Sequence, residues 1–268
     1  MREQKQREGM NMKRRMRLCV AIVCAATILV STVMDTSAFD SRYQNSCVLE
    51  ESEDLGDAYL DSMVFLGEST TYGLWHYGLL RGGQNTVQVW TGATFENGVA
   101  KCAGTLSLSP SIASTMIYYP KSETPMTVAE AVKKASPRYL VVTLGLNNGA
   151  SYYTEAQFKQ CYRMLLDSIF EASQEVCVIL QSLFPVSRAC KISAYTPQRI
   201  ALCNQWIRDL AAEYELKYLD TASVLSDEEG YLIPEYDNGG DGIHLNKQGL
   251  LAVLKYIQTH GHPKEFLE

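Results

Sequence analysis

Apolar positions along this chain switch between two periods. Five short runs rich in β-branched and aliphatic residues, MVFLG (63–67), TVQVW (86–90), YLVVTLG (139–145), VCVILQSLF (176–184) and LKYLD (216–220), alternate with longer amphipathic stretches. The short runs predict strands. The first, third and fourth are nearly continuous in apolar character, as strands covered on both faces of a parallel sheet are. The amphipathic stretches predict helices with recognisable starts: Thr127-x-x-Glu130 and Thr154-x-x-Gln157 both fit capping boxes, in which two side chains satisfy each other's free main-chain N–H groups. A third helix is expected from Thr196 with Pro197 in its first position, and a last one from Asn246 through KQGLLAVLKYIQ. Helix follows strand along the chain. Such alternation specifies right-handed crossovers and an α/β fold, a doubly wound sandwich on five mostly parallel strands, with a site at their carboxyl ends. Residues 103–125 are weakly periodic and are expected to form an excursion over that edge.

Charge divides the chain. Residues 1–17 hold seven of the 24 Lys and Arg and two of the 30 Asp and Glu, which leaves 17 basic and 28 acidic residues, a balance of −11, in the remainder. A body of that sign repels phosphate backbones, so no nucleic-acid partner is expected. An apolar share of 46% excludes a disordered or fibrous chain. The uncharged run 18–34 directly follows the basic cluster MKRRMR, the plan of a signal peptide or signal anchor, with small residues for cleavage after Ala38. A span needs roughly 17–25 apolar residues, so length does not separate the two. Either outcome exports the body, secreted or tethered at the cell surface, and membrane contact is expected through this segment if it is uncut. The expected organisation is therefore 1–38 targeting segment, 39–57 polar acidic stalk and 58–268 globular domain. Of eight cysteines, Cys19 and Cys24 belong to the targeting segment. Cys47, Cys102, Cys161, Cys177, Cys190 and Cys203 contain no C-x-x-C pair, which removes the zinc-ribbon and thioredoxin motifs, and Cys177 inside VCVIL is expected as a small buried hydrophobe.

Only four histidines are present. His76 lies within a predicted helix, and His260 and His262 lie in the tail, where exposed or packed roles are expected. His244 follows the glycine-rich stretch 238–243 and precedes the last helix. Asp241, three positions earlier, can bend back to accept one ring N–H and leave the other nitrogen as a base, or the two can belong to an ordinary capping loop. Ser69, in Gly67-Glu68-Ser69-Thr70, stands where the first strand gives way to a helix whose free amides favour a developing anion; a plain helix cap is the alternative. Asn147, in Gly145-Leu146-Asn147, would present an amide donor at the end of the third strand. Gly92, just past the second, would let main chain approach a ligand, and both are also common turn residues.

Together these residues resemble the SGNH, or GDSL-type, hydrolase family, through GES around Ser69, Gly92, GLN at 145–147 and DGIH at 241–244, in matching order over roughly residues 60–260. The resemblance implies a flavodoxin-like three-layer α/β/α sandwich in which Ser69 attacks an ester, His244 is the general base and Asp241 orients it. The Ser69 and Gly92 amides and the Asn147 side chain would form the oxyanion hole. No cofactor or metal is implied. Two positions depart from the family pattern: Glu68 stands where aspartate is usual, and Asn148 where an aspartate often follows the asparagine.

Other motifs fail on their own terms. An α/β-hydrolase elbow needs glycine where Thr71 stands, and an EF-hand reading of 237–242 puts Gly239 and Gln248 at ligand positions. The expected activity is deacylation of short-chain, acetyl-type esters on exported carbohydrate or cell-envelope polymers. A lipid esterase, an O-acyltransferase and a non-catalytic glycan-binding domain, the last suggested by 16 tyrosines, are the alternatives.

Overall fold

A computed structural model describes residues 47–261 apart from 121 and 123. Among them are strands β1 (Met63–Gly67), β2 (Val89–Glu96), β3 (Val99–Cys102), β4 (Met116–Tyr118), β5 (Met126–Thr127), β6 (Tyr139–Thr143), β7 (Cys177–Gln181) and β8 (Lys217–Leu219). The helices are α1 (Gly56–Asp61), α2 (Ser69–His76), α3 (Val128–Ala135), α4 (Glu155–Ala172), α5 (Pro197–Glu213), α6 (Ala222–Leu225) and α7 (Lys247–Gln258).

Alternation inside each strand builds the two helical layers. In β1, Val64 and Leu66 enter one apolar cluster while Met63 and Phe65 enter the other. β6 divides Leu140 and Val142 from Tyr139 and Val141, and β7 divides Val178 and Leu180 from Ile179 in the same sense. The first cluster is closed by α3, α4 and α5 through residues such as Val132, Phe158, Leu165 and Ile207. The second is closed by α1, α2 and α7 through Tyr59, Leu74, Leu250 and Val253. Each strand position therefore serves one layer, which is why the strand sequences read as unbroken apolar runs.

Strands β2, β1, β6, β7 and β8 pair in parallel in that spatial order, beginning with Phe65 opposite Val89 and Met63 opposite Tyr139. Numbered along the chain they run 2-1-3-4-5, the flavodoxin-like order, and the sheet reverses direction of growth between β1 and β6. Ligand crevices in such sheets lie beyond the carboxyl ends at that reversal. The helix starts are held as expected. Thr127 with Glu130 and Thr154 with Gln157 form reciprocal capping boxes, Thr196 accepts the Arg199 N–H at 3.1 Å, and Asn246 accepts that of Gly249 at 3.0 Å. Each such cap contributes about 1 kcal/mol.

Three expectations change. The second strand begins at Val89 rather than 86, because Gln88 turns inward and donates to the Leu60 and Met63 carbonyls at 2.7 and 2.9 Å, while Val87 is exposed. β2 then runs past the parallel sheet into a hairpin with β3, turning at Asn97 and Gly98, whose φ values of +50° and +80° suit a tight hairpin turn. The excursion 103–125 adds antiparallel β4, which with β5 extends the sheet beyond β2 to eight strands. Finally, the described part of the expected stalk, 47–57, packs on the domain. Val48 bridges Tyr218 of β8, the Leu49 N–H donates to the Tyr218 carbonyl at 2.8 Å, and Cys47 and Leu49 are buried. Main-chain bonds from Ser52 to Thr259 and from Leu55 to Gln258 continue the attachment. Its acidic composition hid this from hydropathy: beside the main-chain bonds and the buried Cys47 and Leu49, Asp54 pairs with Lys255 and Asp57 accepts from Gln258 of α7 at 2.9 Å. The domain thus extends back at least to Cys47. The targeting segment and residues 39–46 lie outside the described residues, and no described helix is long and apolar enough to cross a membrane.

Candidate active site

The end of β1 is a tight place. A Cβ on Gly67 would lie 2.0 Å from Thr71 Oγ1 and 2.7 Å from the Thr143 carbonyl oxygen, so only glycine fits between α2 and β6. Ser69 opens α2 and is half-buried. The first helical bonds run from the Thr71 and Tyr72 N–H groups to the Glu68 carbonyl, both at 3.0 Å. The amides of Ser69 and Thr70 precede that ladder and carry the positive end of the helix dipole.

Glu68 has no solvent exposure. Its Oε1 accepts the Leu146 N–H and its Oε2 the Asn147 N–H, each at 2.7 Å. Burial pushes the carboxyl up to about 8, against the opposing pull of the Asn147, Leu146 and Gly145 amides.

The turn after β6 is unusual main chain. Gly145 has φ +119°, and a Cβ there would lie 2.7 Å from the Phe158 ring. Asn148 adopts φ +66°, ψ −54°, close to the strained γ-turn geometry. Its side chain is bound on both sides, with Nδ2 donating to the Leu108 carbonyl at 3.2 Å and Oδ1 accepting from the Tyr152 hydroxyl at 2.8 Å. An aspartate cannot donate, so the asparagine at this departure from the family pattern suits its partners. Arg199 closes the turn from outside by donating to the Gly149, Ala150 and Tyr153 carbonyls at 2.9, 2.9 and 2.6 Å.

Residues 104–106, part of the weakly periodic excursion, join three of the candidate residues. A Cβ on Gly104 would lie 3.0 Å from Ser69 Cα. A Cβ on Gly92 would lie 2.3 Å from Thr105 Oγ1 and 2.5 Å from the Leu106 nitrogen. Asn147 Nδ2 donates to the Leu106 carbonyl at 3.4 Å. Ser69, Gly92 and Asn147 thus border one segment at the sheet edge. Gly92 itself lies inside β2 opposite Ile117, not beyond the strand, and the close approach it permits is that of residues 105 and 106.

Asp241 and His244 form a unit on the turn before α7. Asp241 Oδ2 lies 2.6 Å from His244 Nδ1, while Oδ1 accepts the N–H groups of Ile243 at 2.9 Å and His244 at 3.1 Å. Desolvation acts to raise the Asp241 pKa, but those N–H bonds and the imidazole together hold it below the usual range. The turn is pinned by the Ser187 N–H on the Gly242 carbonyl at 2.8 Å, and Gly242 (φ +74°) leaves no room for a side chain beside the Cys190 nitrogen. α7, which follows His244, packs Leu250 against Gly73 of α2, the helix that Ser69 opens, where a Cβ would come within 2.8 Å.

The remaining histidines that are described have other surroundings. His76 is exposed beside Tyr72 and Tyr77, and His260 stacks on Tyr256 with centroids 3.6 Å apart. His262 lies outside the described residues. Cys177 is half-buried against the second apolar cluster, while Cys102, Cys161, Cys190 and Cys203 are free thiols, and burial pushes Cys102 up to about 12. Among the described residues no three His, Cys, Asp or Glu side chains gather as metal ligands.

A doubly wound parallel sheet, with a serine opening the helix after its first strand and a carboxylate-bound histidine before its last helix, defines an α/β hydrolytic enzyme class. The sequence model of the GDSL-like Lipase/Acylhydrolase family matches residues 65–250, and the chain belongs to that family, an SGNH hydrolase acting on ester bonds. Among solved structures, it is similar to a protein provisionally described as an acylhydrolase from Bacteroides fragilis, with 18% identity and a TM-score of 0.53 over 85% of this chain and 96% of that one. It is also similar to one provisionally described as a platelet activating factor from Streptococcus pneumonia, with 13% identity and a TM-score of 0.49 over 84% and 97%. The first of these likenesses bears on the fold alone. No curated protein matches the chain.

Proposed function

We propose that the protein is an exported serine esterase that removes short-chain, acetyl-type acyl groups from carbohydrate or cell-envelope polymers. The observation that carries the catalytic reading is the 2.6 Å contact between Asp241 and His244 Nδ1. A carboxylate there fixes the tautomer in which Nε2 lacks a proton and can serve as base. Serine is a weak nucleophile at neutral pH and needs such a base. In this reading the Ser69 hydroxyl adds to the ester carbonyl as His244 takes its proton. The resulting oxyanion is met by the amides of Ser69 and Gly92 and by Asn147 Nδ2. Collapse expels the alcohol, which takes the proton back from His244, and water then cleaves the acyl-serine by the same sequence. The shared border of Ser69, Gly92 and Asn147 on residues 104–106 supports their acting together, since an oxyanion hole needs its donors around one point.

The substrate class follows from export. The basic cluster and apolar run of residues 13–34 direct the body outward, where acylated envelope polymers are found, and the same segment would hold it to the membrane if uncut. The test compares the full chain with Ser69→Ala on a small chromogenic acetate ester, on an acetylated polysaccharide and on a fatty-acyl lipid. Acetate release from the ester and the polymer, lost in the variant, is expected. Fatty-acid release in preference to acetate would replace the polymer reading with a lipid esterase, and undiminished hydrolysis by Ser69→Ala would remove Ser69 as nucleophile.

A further inference from the structure

We propose that Glu68 is a positioning residue of the active site: by accepting the main-chain N–H groups of Leu146 and Asn147, its carboxyl sets where the Asn147 amide meets the developing oxyanion. This rests on the reading of Ser69 and Asn147 given above.

Glu68 touches both halves of that site. Its carbonyl oxygen receives the Thr71 and Tyr72 N–H groups of α2 at 3.0 Å each, so its main chain fixes the helix start that carries Ser69. Its side chain reaches from the end of β1 to the turn after β6 and receives the Leu146 and Asn147 N–H groups at 2.7 Å each. One residue therefore ties the nucleophile to the oxyanion donor. A carboxyl without solvent exposure is costly to bury unless its oxygens are satisfied, and here both oxygens are taken by the turn it holds. Other bonds hold the turn on either side of Asn147: the Tyr195 hydroxyl donates to the Leu146 carbonyl at 2.9 Å, and Arg199 and the Asn148 side chain fix residues 148–150. At Asn147 itself the side chain has a long 3.4 Å bond to Leu106, while its N–H is held at 2.7 Å by Glu68.

Length matters as much as the number of acceptor oxygens. Aspartate at 68 would shorten the reach by about 1.5 Å, one C–C bond, enough to break both contacts or drag the turn toward β1. Glutamine keeps the reach and one acceptor but sets an NH₂ against a main-chain donor. The glutamate, at the position where the family usually has aspartate, therefore suits the distance between strand and turn in this chain.

The experiment is a double-mutant cycle in the full chain, measured on the chromogenic acetate ester. Glu68→Asp is expected to lower kcat by ~10- to 100-fold, below the ~10²- to 10³-fold for outright loss of an oxyanion donor, with KM within about twofold. In an Asn147→Ala background the same change should cost less than about threefold, because the donor it positions is already gone. Full additivity, or unchanged kcat in Glu68→Asp, overturns the proposal. Glu68→Gln serves the same cycle if the aspartate variant does not fold. A wild-type measurement stands beside both: the Leu146 and Asn147 amides should exchange with solvent as slowly as those of β6, and fast exchange overturns the proposal. Ser69→Ala separates the two levels, since hydrolysis surviving there condemns the Ser69 reading. An inactive Ser69→Ala beside an unimpaired Glu68→Asp condemns only the role of Glu68.

Discussion

Gly92→Ala probes how the segment 104–106 holds the active-site rim together. A methyl group at 92 would lie 2.3 Å from Thr105 Oγ1, 2.5 Å from the Leu106 nitrogen and 2.7 Å from the Thr105 carbonyl carbon, where ordinary contact begins at 3.4 Å. The hydroxyl can rotate away, but the two main-chain atoms cannot, so residues 105 and 106 must retreat by about 1 Å. Overpacking of this kind costs ~1–3 kcal/mol. For a domain of this size each kcal/mol lowers Tm by ~2–4 °C, so a fall of ~2–12 °C is expected in a thermal melt. The catalytic effect should be larger. The Leu106 carbonyl receives Asn147 Nδ2, so its displacement moves an oxyanion donor, and a 1 Å misplacement can cost ~10²-fold in kcat. Adding Thr105→Ala should not rescue, because the clash that matters is with main chain. A variant with Tm within about 1 °C of wild type and kcat within about twofold would refute this reasoning, as would rescue by Thr105→Ala.

Asn148→Asp should cost ~0.5–1.5 kcal/mol, read from a denaturant melt, because it removes one of the two donors to the Leu108 carbonyl, which keeps the Tyr153 hydroxyl at 3.3 Å; an unchanged midpoint would mean that bond carries nothing. Asp241→Asn should lower kcat by ~10⁴-fold, with near-ultraviolet circular dichroism unchanged, because the amide favours the wrong His244 tautomer, and retained activity would show that His244 does not need its partner. Stability should also depend on pH through Glu68. Burial raises its folded pKa to about 8, above the ordinary glutamate value of 4.5, so its contribution is fully present below pH 4.5 and is lost as pH rises toward 8. The difference in unfolding free energy between wild type and Glu68→Gln should therefore shift across that window, and a flat difference would contradict the burial argument.

The legibility of this chain followed the physics that writes each feature. Strands β1, β6 and β7 were readable because both their faces are buried, which forces apolar residues at every position, and α3 and α4 because their caps use residue types that do little else so well. The antiparallel additions after β2 were not, since strands such as β4 and β5 are two or three residues long and half-exposed, too short to show a period. The attachment of residues 47–57 escaped for a related reason: main-chain bonds leave no mark on composition, and Asp54 and Asp57, whose partners Lys255 and Gln258 are 201 positions away, read as solvated charges. Within the site, Asp241 and His244 could be paired from spacing alone, because a three-residue turn brings them together locally. Glu68 and residues 104–106 could not be placed. The partners of Glu68 are 78 and 79 positions away, and nothing in a weakly periodic loop announces that it borders three strand ends. The departure at Glu68 was visible as a signal, but its meaning depended on the width of the gap between β1 and the turn after β6.

Covalent trapping tests the central claim most directly. A fluorophosphonate ester reacts with a serine whose hydroxyl is activated by a neighbouring imidazole, expelling fluoride and leaving a stable phosphonyl-serine. Incubated with the full chain and read by intact and peptide mass spectrometry, it should add once, on Ser69, and fail to add to Ser69→Ala or, at the same rate, to His244→Ala. Labelling that persists in Ser69→Ala, or that proceeds undiminished in His244→Ala, would contradict the account.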